Sequence, residues 1–212
     1  MSTPEPLSTL STLSTLSTVT FRPFTPDDIA AAHALSLEVK WPHRADDWRL
    51  VADAGSGFVA LSGDRIVGTA LCWKYGEDGA SLGMVIVSPD QQGRGIGREL
   101  MERLLEMLGG RTTVLHATPA GQPLYEKLGF RAIGTINQHQ AADFRVPQIV
   151  LKPGEHLRPL QAIDTPGDSG LTSWLEELGL KCVDTVIKMS RNGTPASDPS
   201  VEQFAIVNQA LG

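Results

Sequence analysis

The sequence predicts an α/β fold, a mixed sheet flanked by helices. Apolar runs of strand length alternate with amphipathic stretches of helical period along the chain. A glycine-rich loop joins one such strand to one such helix. Apolar residues make up 41% of the 212 positions, enough to build a packed core.

Residues 7–18 repeat Leu-Ser-Thr and carry no face worth burying, so residues 1–18 read as a disordered tail. Order is expected from Val19 to Phe24, a strand by alternation. Thr25-Pro26-Asp27-Asp28 then starts a helix over Ile29 to Val39: a Thr cap, Pro in the first turn, carboxylates at the positive end of the dipole. Trp41-Pro42-His43-Arg44 breaks that helix, and Ala45 to Ala54 forms a second. Gly57–Leu61 and Ile66–Trp73 flank Ser62-Gly63-Asp64 as a hairpin. A turn at residues 76–79 leads to a strand over Ser81–Val87. In the helix from about Gly97 to Leu108, Leu100, Met101, Leu104, Leu105 and Leu108 recur at spacings of three and four, so one face is buried. A strand (Thr113–Ala117), a helix (Gln122–Leu128) and a strand (Phe130–Ile136) follow.

The net charge of −6 makes phosphate polymers a poor default partner. Cys72 and Cys182 both sit in apolar runs and read as reduced core thiols; neither belongs to a C-x-x-C pair, so no metal is expected. No run reaches the roughly 20 apolar residues of a membrane helix, and the N-terminus has no cationic start, so a cytoplasmic protein with no membrane partner is expected.

The central signal is Val85-Ile86-Val87-Ser88-Pro89-Asp90-Gln91-Gln92-Gly93-Arg94-Gly95-Ile96-Gly97-Arg98. Glycines between strand and helix let backbone N–H groups approach a ligand, and the helix N-terminus adds partial positive charge: together, a phosphate cradle. A dinucleotide fingerprint would space its glycines as G-x-G-x-x-G and place an acid about 20 residues on; Gly93, Gly95 and Gly97 do not, and residues 111–119 hold no carboxylate. A Walker loop would need G-K-[ST], which is absent.

Gln92-Gly93-Arg94-Gly95-Ile96-Gly97 matches the Q/R-x-x-G-x-G/A motif of the GNAT acetyltransferases. Val87-x-Pro89 before it and Leu124-Tyr125-Glu126-Lys127-Leu128-Gly129-Phe130 after it resemble the same family, in the same order and spacing. The resemblance covers residues 19–140. It implies a GNAT fold with a mostly antiparallel sheet, acetyl-CoA as co-substrate without a metal, and an amine acceptor, whether small molecule or peptide. Carried over, Val85, Ile86 and Val87 would bond the pantetheine arm. Gln92, Gly93, Arg94, Gly95, Ile96, Gly97 and Arg98 would hold the pyrophosphate. Tyr125 stands where the family often has a tyrosine that protonates the departing thiolate. The family's strand glutamate has no counterpart in Ser81–Val85. His43, His116, Glu77 and Asp78 stay open as general base, while His139 reads as solvated. A non-catalytic acyl-CoA sensor is the alternative function.

Residues 141–212 carry an internal echo. Trp174-Leu175-Glu176-Glu177-Leu178-Gly179-Leu180 aligns with 124–130 fifty positions earlier, Thr185-Val186 with Thr135-Ile136, and Asp164-Thr165-Pro166 with Ala117-Thr118-Pro119 after a three-residue shift. This half resembles a degenerate second GNAT-like unit, without cradle and with Leu175 in place of Tyr125. Its strands (about 160–164 and 182–189) and helix (170–178) would pack on or extend the first sheet. Val201–Leu211 is expected to dock, over the acceptor site or in a homodimer contact.

Overall fold

The computed structural model describes residues 18–41, 43–142, 153 and 162–196. The expected disordered tail before residue 18 and the segment from Val201 to Leu211 lie outside them. Eight strands form one sheet: β1 (Val19–Pro23), β2 (Ser56–Ser62), β3 (Arg65–Tyr75), β4 (Gly79–Val87), β5 (Thr112–Ala117), β6 (Arg131–Gln140), β7 (Ala162–Pro166) and β8 (Lys181–Arg191). Their spatial order is β1-β2-β3-β4-β5-β8-β6-β7. Among the described residues only β4 and β5 run parallel; every other neighbouring pair is antiparallel. A parallel pair needs a crossover, and α3 (Ile96–Leu108) supplies it. The other helices are α1 (Ile29–Glu38), α2 (Ala45–Ala54), α4 (Gln122–Lys127) and α5 (Thr172–Glu177).

Each face of the sheet has its own core. α3 buries Leu100, Met101, Leu104 and Leu108 of the expected stripe, and Ile96 besides, against Val67, Leu82 and Leu115, while Leu105 is only partly buried. On the opposite face α1 and α2 bury Leu35, Trp48 and Val51 against Leu71, Met84 and Ile86. The first helix is anchored as its start signal predicts. Asp28 accepts the Thr25 N–H at 2.8 Å and both Arg22 terminal nitrogens at 2.7 Å, tying α1 to β1.

The C-terminal strands are interleaved with the earlier ones rather than set beside them. β8 lies between β5 and β6 and pairs with both, while β7 caps the far edge of β6. The β6–β8 register is symmetric about the Ile136–Val186 pair: Arg131 faces Ser190 as Gln140 faces Lys181, and the ladder slips once on either side, at 132/134 and 138/139. The helix-to-strand turns repeat as well. Leu128, Gly129 and Phe130 N–H bond to the carbonyls of Leu124, Glu126 and Tyr125, and Leu178, Gly179 and Leu180 do the same to Trp174, Glu176 and Leu175. The strand β7 then matches β5 with Thr165 opposite Asn137 as Ala117 is opposite Ile187, one residue away from the alignment through the two Thr-Pro pairs.

Two side chains depart from their sequence reading. His139 is not solvated: β6 runs on to Gln140, and the imidazole is 0% exposed, with neither ring nitrogen hydrogen-bonded among the described residues. Cys182 is not a core thiol; it is exposed near the start of β8, in a stretch that extends past the end of β5. Cys72 is buried as expected, and burial pushes its thiol up to about 11.

Candidate active site

The parallel β4–β5 ladder joins only Gly79–Leu82 to Thr112–Leu115. Beyond Leu82 the two strands part, and Gly83–Val87 continue without a partner on the β5 side. A β-bulge accompanies the parting. On β3, Thr69 faces Ile86 but Leu71 faces Gly83, so β4 carries an extra residue between them. Met84 there adopts φ 51°, and its carbonyl accepts the Thr69 hydroxyl at 2.8 Å. The bulge reverses the alternation of β4. Leu82, Val85 and Val87 pack toward α3, while Met84 and Ile86 pack toward α1 and α2. Those backbone groups of residues 83–87 that point away from β3 thereby line an open seam in the sheet.

The glycine loop lies at the end of this seam. Gly93 and Gly95 have φ of 76° and 79°, a left-handed conformation that a side chain would strain. A Cβ on either would meet nothing within 4 Å, so the loop backbone faces open space. Gly95 caps α3, and the first intrahelical bond runs from Glu99 N–H to Gly95 C=O at 3.0 Å. The N–H groups of Ile96, Gly97 and Arg98 precede that ladder, as at any helix start. The Gln92 amide donates to the Val87 carbonyl at 3.1 Å, so this side chain holds the loop to the strand. Arg98 pairs with Glu102 one turn along at 2.8 Å, and Arg94 donates to Gln91. Both cradle arginines therefore already hold protein acceptors at the surface.

Gly97 is where three elements converge. A Cβ there would lie 3.5 Å from Val87 on β4 and 3.7 Å from Leu124 on α4. Leu124 precedes Tyr125, which is 8% exposed and packs edge-on against Phe130 at 6.2 Å between ring centres. Burial pushes the Tyr125 phenol up to about 12. The fold therefore gathers Val85–Val87, the 92–98 loop and α4 at one end of the sheet, as the sequence motifs require.

Of the base candidates, Glu77 and Asp78 fall out. They precede β4, roughly 30 Å from its far end at about 3.3 Å per residue, and line a separate cavity of about 570 Å³ with Glu106 and Arg111. His116 lies in β5 at the last rungs before the strand ends, opposite Lys188. His43 lies in the α1–α2 connection, 9% exposed, edge-on to Trp41 at 5.5 Å, with its carbonyl 3.0 Å from the His33 ring. Burial lowers the His43 imidazole from its ordinary range; Asp47 opposes this, His33 adds to it, and Asp164 opposes it. A lowered imidazole is neutral near pH 7 and able to accept a proton.

Residues 53–132 match the model of the acetyltransferase (GNAT) domain. Over those residues the chain carries a domain of the GNAT type. Over 111 residues it is 31% identical to the uncharacterized N-acetyltransferase YitH of Bacillus subtilis, a match over 50% of this chain and 38% of that protein's length. The GNAT fold recurs in a provisionally assigned acetyltransferase from Pyrococcus horikoshii, with a TM-score of 0.77 over 92% of this chain and 96% of the other at 16% identity. It recurs again in the ribosomal-protein-S18-alanine N-acetyltransferase of Escherichia coli, with a TM-score of 0.56 over 86% of this chain and 98% of the other at 17% identity. These likenesses establish the shared fold. No described helix is long and apolar enough to cross a membrane.

Proposed function

We propose that this protein transfers an acetyl group from acetyl-CoA to an amine by direct attack on the thioester. The observation that carries the reading is the open seam of β4 ending in the Gly93–Arg98 loop. The backbone groups of Val85–Val87 suit the amides of a pantetheine arm. The free N–H groups at the start of α3 suit a pyrophosphate. Acetyl-CoA, when bound, supplies the activated acyl carbon. The donor enters on the α3–α4 face, so the acceptor approaches from the α1–α2 face, where His43 lies. Holding amine and thioester together accounts for much of the rate, and a backbone N–H at the bulge stabilises the developing oxyanion.

Tyr125 is assigned as the acid beside the leaving sulfur. A buried phenol raised to about 12 stays protonated across the neutral range. An unperturbed thiol titrates near 8.5, and the same low-dielectric site raises a thiolate too. The phenol then stabilises the sulfur by hydrogen bonding as the C–S bond breaks and passes its proton late. The residues from 141 on are read as a degenerate GNAT-like unit that completes the sheet and, with Leu175 at the place of Tyr125, performs no chemistry. The acceptor is a small-molecule or peptide amine in the cytoplasm, with neither nucleic acid nor membrane as partner; a homodimer is compatible with this reading.

The test is loss of thioester absorbance in the presence of a panel of amines, with the acetylated product identified by mass. Tyr125→Phe is expected to lower kcat by about 10²- to 10⁴-fold while acetyl-CoA affinity stays within about twofold. Equal turnover by both proteins removes Tyr125 from the mechanism. Acetyl-CoA binding without turnover on any amine favours an acyl-CoA sensor, which the missing strand carboxylate would also fit.

A further inference from the structure

The foot of the glycine loop is held by a charged cluster that the proposed chemistry does not use. Ser88, immediately after β4, is 0% exposed. Its hydroxyl accepts from an Arg65 terminal nitrogen at 2.7 Å. It also lies 2.8 Å from Glu38 Oε2 and 2.5 Å from Asp90 Oδ1, so its single proton serves one carboxylate at a time. Arg65 in turn donates to both oxygens of Asp90, at 2.9 and 3.2 Å, and reaches Glu38 at 3.5 Å. Four elements meet here: the end of α1 (Glu38), the start of β3 (Arg65), the end of β4 (Ser88) and the first turn of the loop (Asp90).

The charge count is informative. One guanidinium faces two carboxylates, although neutralising Arg65 needs only Asp90. The surplus carboxylate, Glu38, is the last residue of α1. The chain turns directly beyond it, with Lys40 at φ 60° and the Trp41 N–H bonded back to the Ser36 carbonyl at 3.0 Å, and then enters the Trp41–His43 stretch. The Ser88 hydroxyl thus touches both the first turn of the loop, through Asp90, and the α1 terminus, through Glu38.

We propose that Arg65, Ser88, Asp90 and Glu38 form a positioning clamp that couples filling of the glycine cradle to the ordering of the Glu38–Trp41 turn that closes α1 on the acceptor face. This rests on the acetyl-CoA reading above. None of the four is a catalytic residue; they act through the backbone they hold. The coupling is reciprocal, so an amine on the acceptor face tightens acetyl-CoA by the same factor that acetyl-CoA tightens the amine.

Hydrogen exchange of the full chain, with and without acetyl-CoA, tests this. In the wild type, acetyl-CoA is expected to slow exchange in residues 88–98 and also in 38–41. In Glu38→Gln, protection is expected in 88–98 alone. Arg65→Gln is expected to weaken acetyl-CoA about tenfold, as loss of one charge-assisted contact would, and to speed exchange in both segments without ligand while β5 and β8 stay unchanged. Protection of 88–98 without 38–41 in the wild type overturns the coupling, as does a Glu38→Gln variant that behaves like wild type. Faster exchange across the whole sheet in both variants assigns the cluster to general stability and overturns it equally. A wild type in which acetyl-CoA protects no segment removes the acetyl-CoA reading itself, and the clamp's role with it.

Discussion

Tyr125 carries two demands at once. Its ring belongs to the core with Leu115, Phe130 and Met189, and its hydroxyl is assigned to chemistry. The first has a measurable consequence. A phenol raised from 10.0 to about 12 binds its proton more tightly folded than unfolded. Its stabilising effect is complete below pH 10 and is lost as pH rises through 12, with a total of about 3 kcal/mol. Urea melts at pH 8, 10 and 11.5 should show stability falling over the upper interval, and Tyr125→Phe should flatten that fall. An equal fall in the variant would place the alkaline loss elsewhere. Single residues were also where the sequence was hardest to read. Cys182 sits in an apolar run but projects from a strand end that outlasts its neighbour. His139 looks polar and solvated but is buried near the end of β6, which runs on to Gln140. Both outcomes depend on strand length, which local composition does not encode.

At the scale of elements, most of the architecture was legible. The helices from Ile29, Ala45, Gly97 and Gln122 and the strands that precede them appear within a few residues of their expected bounds, because capping residues and periodicity act locally. The glycine loop was legible for the same reason, since its conformation is written in its residue types. The bulge was not. Gly83 is the residue that would draw attention, yet the left-handed φ belongs to Met84, where no composition cue marks it. The bulge is held by tertiary context, chiefly the Thr69 hydroxyl on the Met84 carbonyl. Thr69→Val keeps the shape and removes that bond. It should cost about 1–2 kcal/mol in chemical denaturation and weaken acetyl-CoA more than the lost stability alone would, because the seam relaxes. A variant with unchanged acetyl-CoA affinity would separate the bulge from the site.

Across the whole molecule, the sequence echo at a spacing of fifty residues anticipated the strand–helix–strand order of β7, α5 and β8. It did not foretell that β8 would thread between β5 and β6, because insertion is decided by the sheet edges left open by the first unit. The consequence is that the boundary at residue 140 divides sequence motifs but not the folded sheet. A chain ending at residue 142 would expose the inner edges of both β5 and β6. It should fail to give a cooperative melt and should aggregate, whereas the full chain melts in one transition. A soluble, cooperatively folding truncation would contradict this view of the sheet.

The central claim is that the seam of β4 and the Gly93–Arg98 loop bind acetyl-CoA, and calorimetric titration of the wild type beside Gly95→Trp tests it most directly. A Cβ at position 95 meets no atom within 4 Å, but φ there is 79°, so the substitution distorts the loop and fills the space above it without touching the core. The account predicts saturable binding by the wild type and at least about a hundredfold loss in a variant whose melt shifts little, the loss of several backbone–phosphate contacts together. Equal binding by both proteins, or binding by neither, would contradict it.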